Sequence, residues 1–292
     1  MEPAQKDVWT VKRLHEWTRD FLKRQGSESP EIETQILMAQ ALQCRRVELF
    51  TRYEQEVSEE KRARLRELIQ QRAKGCPVAY LVGHKEFYSL RFEVSPAVLI
   101  PRDDSEWIVQ ECLRMSKGQG AVRVLDLGTG SGNLAVAIAR QNKDASVVAV
   151  DVSQEALAIA QKNAEAHQVF DRIEFLHGDL FDALRSARSF QFIVSNPPYV
   201  KTGELSTLQT EVRDFEPRLA LDGGPDGLDV FDRIIAGADN FLEDEGYLIL
   251  EIGEDQESEA RTRIEALGCY KLNPTIRDAK GLSRVLVAKY QA

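Results

Sequence analysis

LDLGTGSGN, residues 125–133, reads as a short apolar strand that runs into a glycine-rich turn and then into a helix. Gly128, Gly130 and Gly132 let the backbone turn sharply and approach a ligand with no side chain in the way. The spacing is GxGxG, not the GxGxxG of dinucleotide enzymes. A unit of this kind opens a doubly wound sheet, where ligands bind at the carboxyl ends of the strands, at the point where strand order reverses.

Outward from this loop, strands and helices alternate from residue 121 onward. Strands are predicted at 122–127, 146–150, 173–176, 190–195 and 246–252, with a late pair near 270–276 and 284–289. Helices are predicted at about 133–141, 153–167, 228–242 and 255–267. Short apolar strands separated by helices imply a parallel sheet covered on both faces. The last connection is too short for a crossover helix, so the final strand is expected to run antiparallel.

Before the loop, EFYSLRFEV at 86–94 alternates with period two. It puts Tyr88, Leu90, Phe92 and Val94 on one side of a half-buried strand or hairpin. A helix from about Asp104 to Ser116 follows. The first 75 or so residues read as helices. Val11, Leu14, Thr18, Phe21 and Leu22 recur at helical spacing, with Trp17 beside them. Ser29-Pro30-Glu31 is a helix start in which the serine hydroxyl is expected to cap, followed by a face of Ile32, Ile36, Leu37 and Gln40 or Ala41. Ser58 opens a third helix, with Leu65, Leu68, Ile69 and Arg72 near one face, stopped at Gly75 and Pro77. The expected division is a helical domain over 1–82, a hairpin linker over 83–102 and a catalytic domain over 103–292.

With 43% hydrophobic and 29% charged residues, the chain has the composition of an ordinary soluble globular protein. No apolar run approaches the roughly 20 residues of a membrane span. MEPAQKDVWT resembles neither a secretion signal nor a transit peptide, so a cytoplasmic protein is expected. Cys44, Cys76, Cys112 and Cys269 form no CxxC and have no histidine at ligand spacing, which points to reduced thiols and no metal. The formal charge of −9 is uneven: residues 1–75 hold 15 Lys+Arg and 13 Asp+Glu, the remainder 23 and 34. An acidic catalytic region disfavours general binding to a phosphate backbone.

Asp151 ends the second strand about 20 residues beyond the loop, where a carboxylate can accept both hydroxyls of a ribose. Adenosine-containing cofactors share that feature, and a helix cap in VDVSQEAL would explain it too. After the third strand, Asp179 and the backbone of Leu180 are candidates for the adenine edge, against a plain turn.

SNPPYV at 195–200 decides the chemistry. Two prolines remove two backbone donors and stiffen the turn, so its carbonyls point in fixed directions. The Asn196 side-chain oxygen and the Pro197 carbonyl could each accept one hydrogen of a planar NH2 group, with Pro198 stiffening the turn and Tyr199 stacked on the flat face. Such an arrangement orients a nitrogen whose lone pair is conjugated, in line with a sulfonium methyl. No strong base is needed, because the proton can leave afterwards. None of His15, His84, His167 and His177 lies in the motif.

At these residues the chain resembles the peptide-chain release factor glutamine methyltransferases, the HemK/PrmC family. The likeness runs through EFYSLRFEVSPAVLIPRDDSE at 86–106, LDLGTGSG at 125–132, VSNPPYV at 194–200, DFEPRLALDGGPDGLD at 214–229, GYLILEIGEDQ at 246–256 and RDAKGLSRVLVA at 277–288. NPPY alone is shared with adenine methyltransferases. The resemblance implies a seven-stranded, Rossmann-like class I methyltransferase sheet, joined by a β-hairpin to a small N-terminal helical bundle. It implies S-adenosylmethionine as cofactor, leaving S-adenosylhomocysteine, and as substrate the glutamine of the Gly-Gly-Gln tripeptide of release factors. Carried over by motif, Gly128, Thr129, Gly130, Ser131, Gly132 and Asp151 would bind the cofactor, with Asp179, Leu180 and Asn196 beside it, and Asn196, Pro197, Pro198 and Tyr199 would hold the glutamine amide. Leu180 stands where relatives can carry an aromatic, and PRDDSE departs slightly from the commoner PRPxTE. No direct nucleic-acid contact, no membrane and a monomer are expected. The alternative is a methyltransferase for the exocyclic amine of adenine in DNA or RNA. A nicotinamide oxidoreductase leaves NPPY without a role, and a non-catalytic module leaves the whole set unused.

Overall fold

Residues 8–184 and 189–292 are described by the computed structural model. The chain divides into two units, Met1–Gly83 with Thr210–Phe215, and His84–Gln209 with Glu216–Ala292.

The first unit is helical: α1 (Val11–Arg24), α2 (Pro30–Leu42), α3 (Arg46–Thr51), α4 (Glu59–Ala73) and α5 (Val78–Val82). Leu14, Leu22, Leu37, Met38, Leu49, Leu65 and Ile69 form its core. Thr10 and Ser58 cap α1 and α4 through their hydroxyls. Ser29 does not: its side chain makes no cap bond, and α2 starts on Pro30, whose missing amide donor costs nothing there. Leu37, Met38, Ala41 and Leu42 are buried, and Ile32 is exposed. Arg72 makes a two-pronged ion pair with Glu33, both distances 2.9 Å, and reaches Glu211 at 3.1 Å.

The second unit begins with a hairpin, β1 (His84–Phe87) and β2 (Leu90–Glu93). Tyr88 and Ser89 are its two-residue turn, with φ of 50° and 59°, the signature of the turn type whose twist suits a tight hairpin. Tyr88 therefore lies at the tip and not on a strand face, and Phe87 and Phe92 carry the buried side. After α6 (Glu106–Ser116) come β3 (Val122–Leu127), α7 (Asn133–Gln141), β4 (Ala145–Asp151), α8 (Gln154–Ala166), β5 (Ile173–His177) and β6 (Phe190–Ser195). The short α9 (Thr210–Arg213) falls within the first unit. Then follow α10 (Asp229–Gly237), β7 (Leu242–Glu251), α11 (Glu257–Ala266), β8 (Tyr270–Leu272), β9 (Ile276–Arg277) and β10 (Ser283–Tyr290).

The sheet order is β5-β4-β3-β6-β7-β10-β8, with the two-residue β9 paired to β10. β3 to β7 are parallel and β10 runs antiparallel to β7 and to β8, as the short final connection requires. This is the seven-stranded plan expected, plus one short strand. Alternate strand residues face opposite layers. Val124, Val147, Phe192 and Ile249 pack with α6, α7 and α8. Leu125, Val148, Ile193 and Leu250 pack with α10 and α11. A fully buried side chain such as Phe192 contributes roughly 1.5–3 kcal/mol, so these two layers hold the sheet's end rigid beneath the loops. The expected helix over 228–242 stops at Gly237, and β7 starts at Leu242, ahead of the predicted 246.

Candidate active site

The strand order reverses between β3 and β6, since the chain runs outward through β4 and β5 before returning. Register then sets the site. Leu127, the last residue of β3, pairs with Val150 on one side and Ser195 on the other. The next residues out are Gly128, Asp151 and Asn196, so the three expected motifs open side by side.

The glycine loop is held from beneath. Gly128 and Thr129 both donate backbone N–H to Val150 O at 2.9 Å. Thr129 Oγ1 donates to Asp126 Oδ2 at 2.7 Å, and the Ala135 N–H donates to the same oxygen at 3.2 Å. Asp126 is fully buried, and its Oδ1 has no hydrogen-bond partner. Burial raises its carboxyl to about 7 despite the two donors. Gly128 and Gly130 have φ of 71° and 55°, and a Cβ on either would point into open space. Gly132 is different: a Cβ there would lie 3.0 Å from Ala160 of α8. Two glycines thus keep the outer face of the loop clear, and the third permits close helix packing.

Asp151 is drawn into this loop. Its Oδ2 accepts the Gly130 N–H and its Oδ1 the Ser153 N–H, each at 2.8 Å. Burial raises its carboxyl above the usual range, and those donors work against the rise. Each carboxylate oxygen has a second lone pair for a ribose hydroxyl. Ser131 contributes through its carbonyl, which accepts from the buried Asn163 Nδ2 at 2.9 Å. The same Asn163 exchanges bonds with both Glu93 backbone groups, at 2.7 and 3.0 Å. The hairpin is thereby clipped to the loop.

Beyond β5, the Gly178 N–H donates to Asp151 O at 3.0 Å, which brings Asp179 and Leu180 to the edge of the same opening. Asp179 Oδ2 is engaged by Arg233 at 2.8 Å. Leu180 has φ +49°, uncommon for a side-chain-bearing residue, and it packs against the lower core layer.

At the end of β6 the Asn196-Pro197-Pro198-Tyr199 turn is braced by residues that sequence reading did not single out. Asn196 Nδ2 donates to Ser105 Oγ at 2.9 Å, and Ser105 Oγ donates to Glu251 Oε2 at 2.5 Å. The Tyr199 hydroxyl acts to hold the Glu251 carboxyl down, and burial pushes this phenol well above its ordinary range. Gln256 Nε2 donates to both Tyr199 O and Gly227 O, at 3.1 and 3.0 Å. A Cβ at Gly227 would collide with the Tyr199 carbonyl, so this backbone approach needs glycine. Ser105, Glu251, Gln256 and Gly227 all lie in segments that carry the family resemblance; that was the signal available for them.

Together, a glycine loop with an open outer face, a carboxylate at the neighbouring strand end and a stiff turn with fixed acceptors suit an adenosine-type cofactor and a planar NH2 group. Among the described residues no cluster of three or more His, Cys, Asp or Glu could hold a metal, and no helix is long and apolar enough to cross a membrane.

Residues 13–83 match the PrmC N-terminal domain, and residues 105–223 match the methyltransferase small domain. The release factor glutamine methyltransferase of Rhodopirellula baltica is 43% identical over 98% of both chains. That of Geobacter sulfurreducens is 42% identical over 96% of both. Among solved structures, a methyltransferase from Pyrococcus furiosus shares the fold at 19% identity, with a TM-score of 0.52 over 70% of this chain and 89% of that one.

Proposed function

The chain belongs to the release factor glutamine methyltransferase family, and on that premise we propose that it methylates the side-chain amide nitrogen of the glutamine in the Gly-Gly-Gln tripeptide of a release factor. The methyl donor is S-adenosylmethionine, which supplies a methyl group on a positive sulfur. Asp151 would hold the ribose hydroxyls, and Gly128, Thr129, Gly130, Ser131 and Gly132 the rest of the donor, with Asp179, Leu180 and Asn196 beside it.

The residues of the Asn196–Tyr199 turn handle the acceptor. Asn196 Oδ1 and the Pro197 carbonyl each accept one amide hydrogen, which holds the nitrogen facing the methyl and favours the pyramidal character that attack requires. Pro198 keeps the turn stiff and Tyr199 covers the flat face of the amide. The nitrogen forms its bond to the methyl as the carbon–sulfur bond breaks onto sulfur, and its surplus proton then leaves to solvent, so no residue has to create an anion first. The helical unit is the part that recognises the release factor, and the reaction runs in the cytoplasm.

The observation that carries this reading is the register that opens Gly128, Asp151 and Asn196 side by side at the ends of β3, β4 and β6. It sets the acceptor turn beside the cofactor loop. Supplying the protein with labelled S-adenosylmethionine and a bacterial release factor, and separately with DNA and RNA, tests it. Label in the factor alone is expected; label in nucleic acid alone would move the assignment to adenine.

A further inference from the structure

We propose that Ser105 and Glu251 are positioning residues for methyl transfer, forming a buried hydrogen-bond chain that sets the polarity of the Asn196 amide so that Oδ1, and not Nδ2, meets the acceptor nitrogen.

Three elements converge to build this chain. Ser195 pairs with Leu250 across β6 and β7, so Asn196 and Glu251 leave their strands at the same level. Ser105, in the turn before α6, stands between them. Ser105 is 0% exposed and Glu251 2%, so water does not compete for either. A serine hydroxyl has one hydrogen to give. With an ionised carboxylate 2.5 Å away, that hydrogen goes to Glu251, and the serine oxygen can only accept from its other neighbour. The neighbour is the Asn196 amide at 2.9 Å, which must therefore present Nδ2 inward and Oδ1 outward. Without this constraint the two ends of an asparagine amide are nearly equivalent in shape. An amide turned the other way would set donor against donor at an incoming NH2 group.

The charges around Glu251 make the chain dependent on protonation. Burial and Asp104 raise its carboxyl to about 7, while Ser105, Tyr199 and Arg284 hold it down. Arg284 on β10 is itself shared with Asp104, Asp278 and Glu254. Once protonated, Glu251 can donate to Ser105, freeing the serine hydrogen to point at Asn196 and removing the reason for a single orientation. The polarity is enforced only with Glu251 ionised.

The inference rests on a planar NH2 acceptor, as proposed above. It is tested with the full-length chain and two variants, Ser105→Ala and the isosteric Glu251→Gln, by measuring methylation of a release factor against pH and cofactor binding in parallel. Both variants should lower kcat by about ten- to a hundred-fold, with KM and the cofactor Kd within about three-fold of the parent. The parent's kcat should fall on the acid side through about pH 7, and Glu251→Gln should lose that limb. Should Ser105→Ala fail to fold, Glu251→Gln decides alone. Retention of kcat within about two-fold in either folded variant, or an unchanged acid limb in Glu251→Gln, overturns the inference and leaves the functional reading intact. A parent enzyme that does not methylate the factor overturns the functional reading, and this inference with it.

Discussion

Arg102 and Glu216, 114 positions apart, meet in an ion pair of 2.6 Å that ties the segment after the hairpin to the segment after the Asn196–Tyr199 turn. The Glu216 side chain is 2% exposed and that of Arg102 33%. Glu216 Oε2 also accepts the Ile100 N–H at 3.3 Å. Both segments lie in stretches that carry the family resemblance, and the pair gives a physical reason for their going together.

Replacing Arg102 by Ala removes the cation 2.6 Å from that buried carboxylate. A fully buried pair broken in this way costs about 3–5 kcal/mol, and the partial exposure of Arg102 lowers the expected cost to about 2–3 kcal/mol. Thermal and denaturant unfolding should both show it. Arg102→Ala with unchanged stability would mean the pair is incidental.

The glycine loop separates two effects of one methyl group. Gly128→Ala adds backbone strain of about 1–2 kcal/mol at positive φ and pushes a side chain into the open face, so cofactor affinity should fall more than stability. Gly132→Ala adds the same strain and a contact at 3.0 Å with Ala160, so it should destabilise more. Unfolding midpoints and cofactor Kd measured together on both variants check the order; equal stability losses would contradict the packing role given to Gly132.

Glu251 also ties stability to pH. Its carboxyl rises from 4.5 in the ordinary state to about 7 in the fold, so the folded chain holds the proton more tightly than the unfolded one. The stabilisation this gives is complete below about pH 4.5 and is lost as pH rises toward 7. Glu251→Gln does not titrate, so its stability relative to the parent should increase by about 1–3 kcal/mol from pH 4.5 to 8. A difference independent of pH would show that Glu251 keeps an ordinary carboxyl.

What was legible in the sequence is what is contiguous. LDLGTGSG and NPPY each demand a particular backbone within a few residues, so the loop, the turn and the sheet that carries them could be read directly. Ser105 and Glu251 were not legible from the residues themselves, because each is an ordinary polar residue until the fold joins positions 146 apart. The same holds for Asn163, which reaches Glu93 across 70 positions. Local errors have local causes. Tyr88-Ser89 carries none of the Asn-Gly signal of a hairpin turn, so the period-two pattern runs straight through the tip. The early start of β7 at Leu242 comes with an irregular register opposite Phe190 and Phe192, and with Glu245 at φ +66°. Neither feature has a sequence signature strong enough to override a helical pattern.

Asp151 and Asn196 should fail in different ways. Asp151→Ala should chiefly raise the cofactor Kd. Asn196→Ala should leave that Kd within a few-fold while lowering turnover by roughly two or more orders of magnitude. Isothermal titration and single-turnover methylation distinguish the two, and near-normal turnover in Asn196→Ala would remove the amide-holding mechanism.

The central claim is tested most directly by peptide mass mapping of a release factor after incubation with the enzyme and S-adenosylmethionine. The expected result is one added methyl, on the glutamine of Gly-Gly-Gln, absent when Asn196→Ala replaces the parent enzyme. A methyl on any other residue, or an unmodified factor beside methylated adenine in a nucleic-acid control, would contradict it.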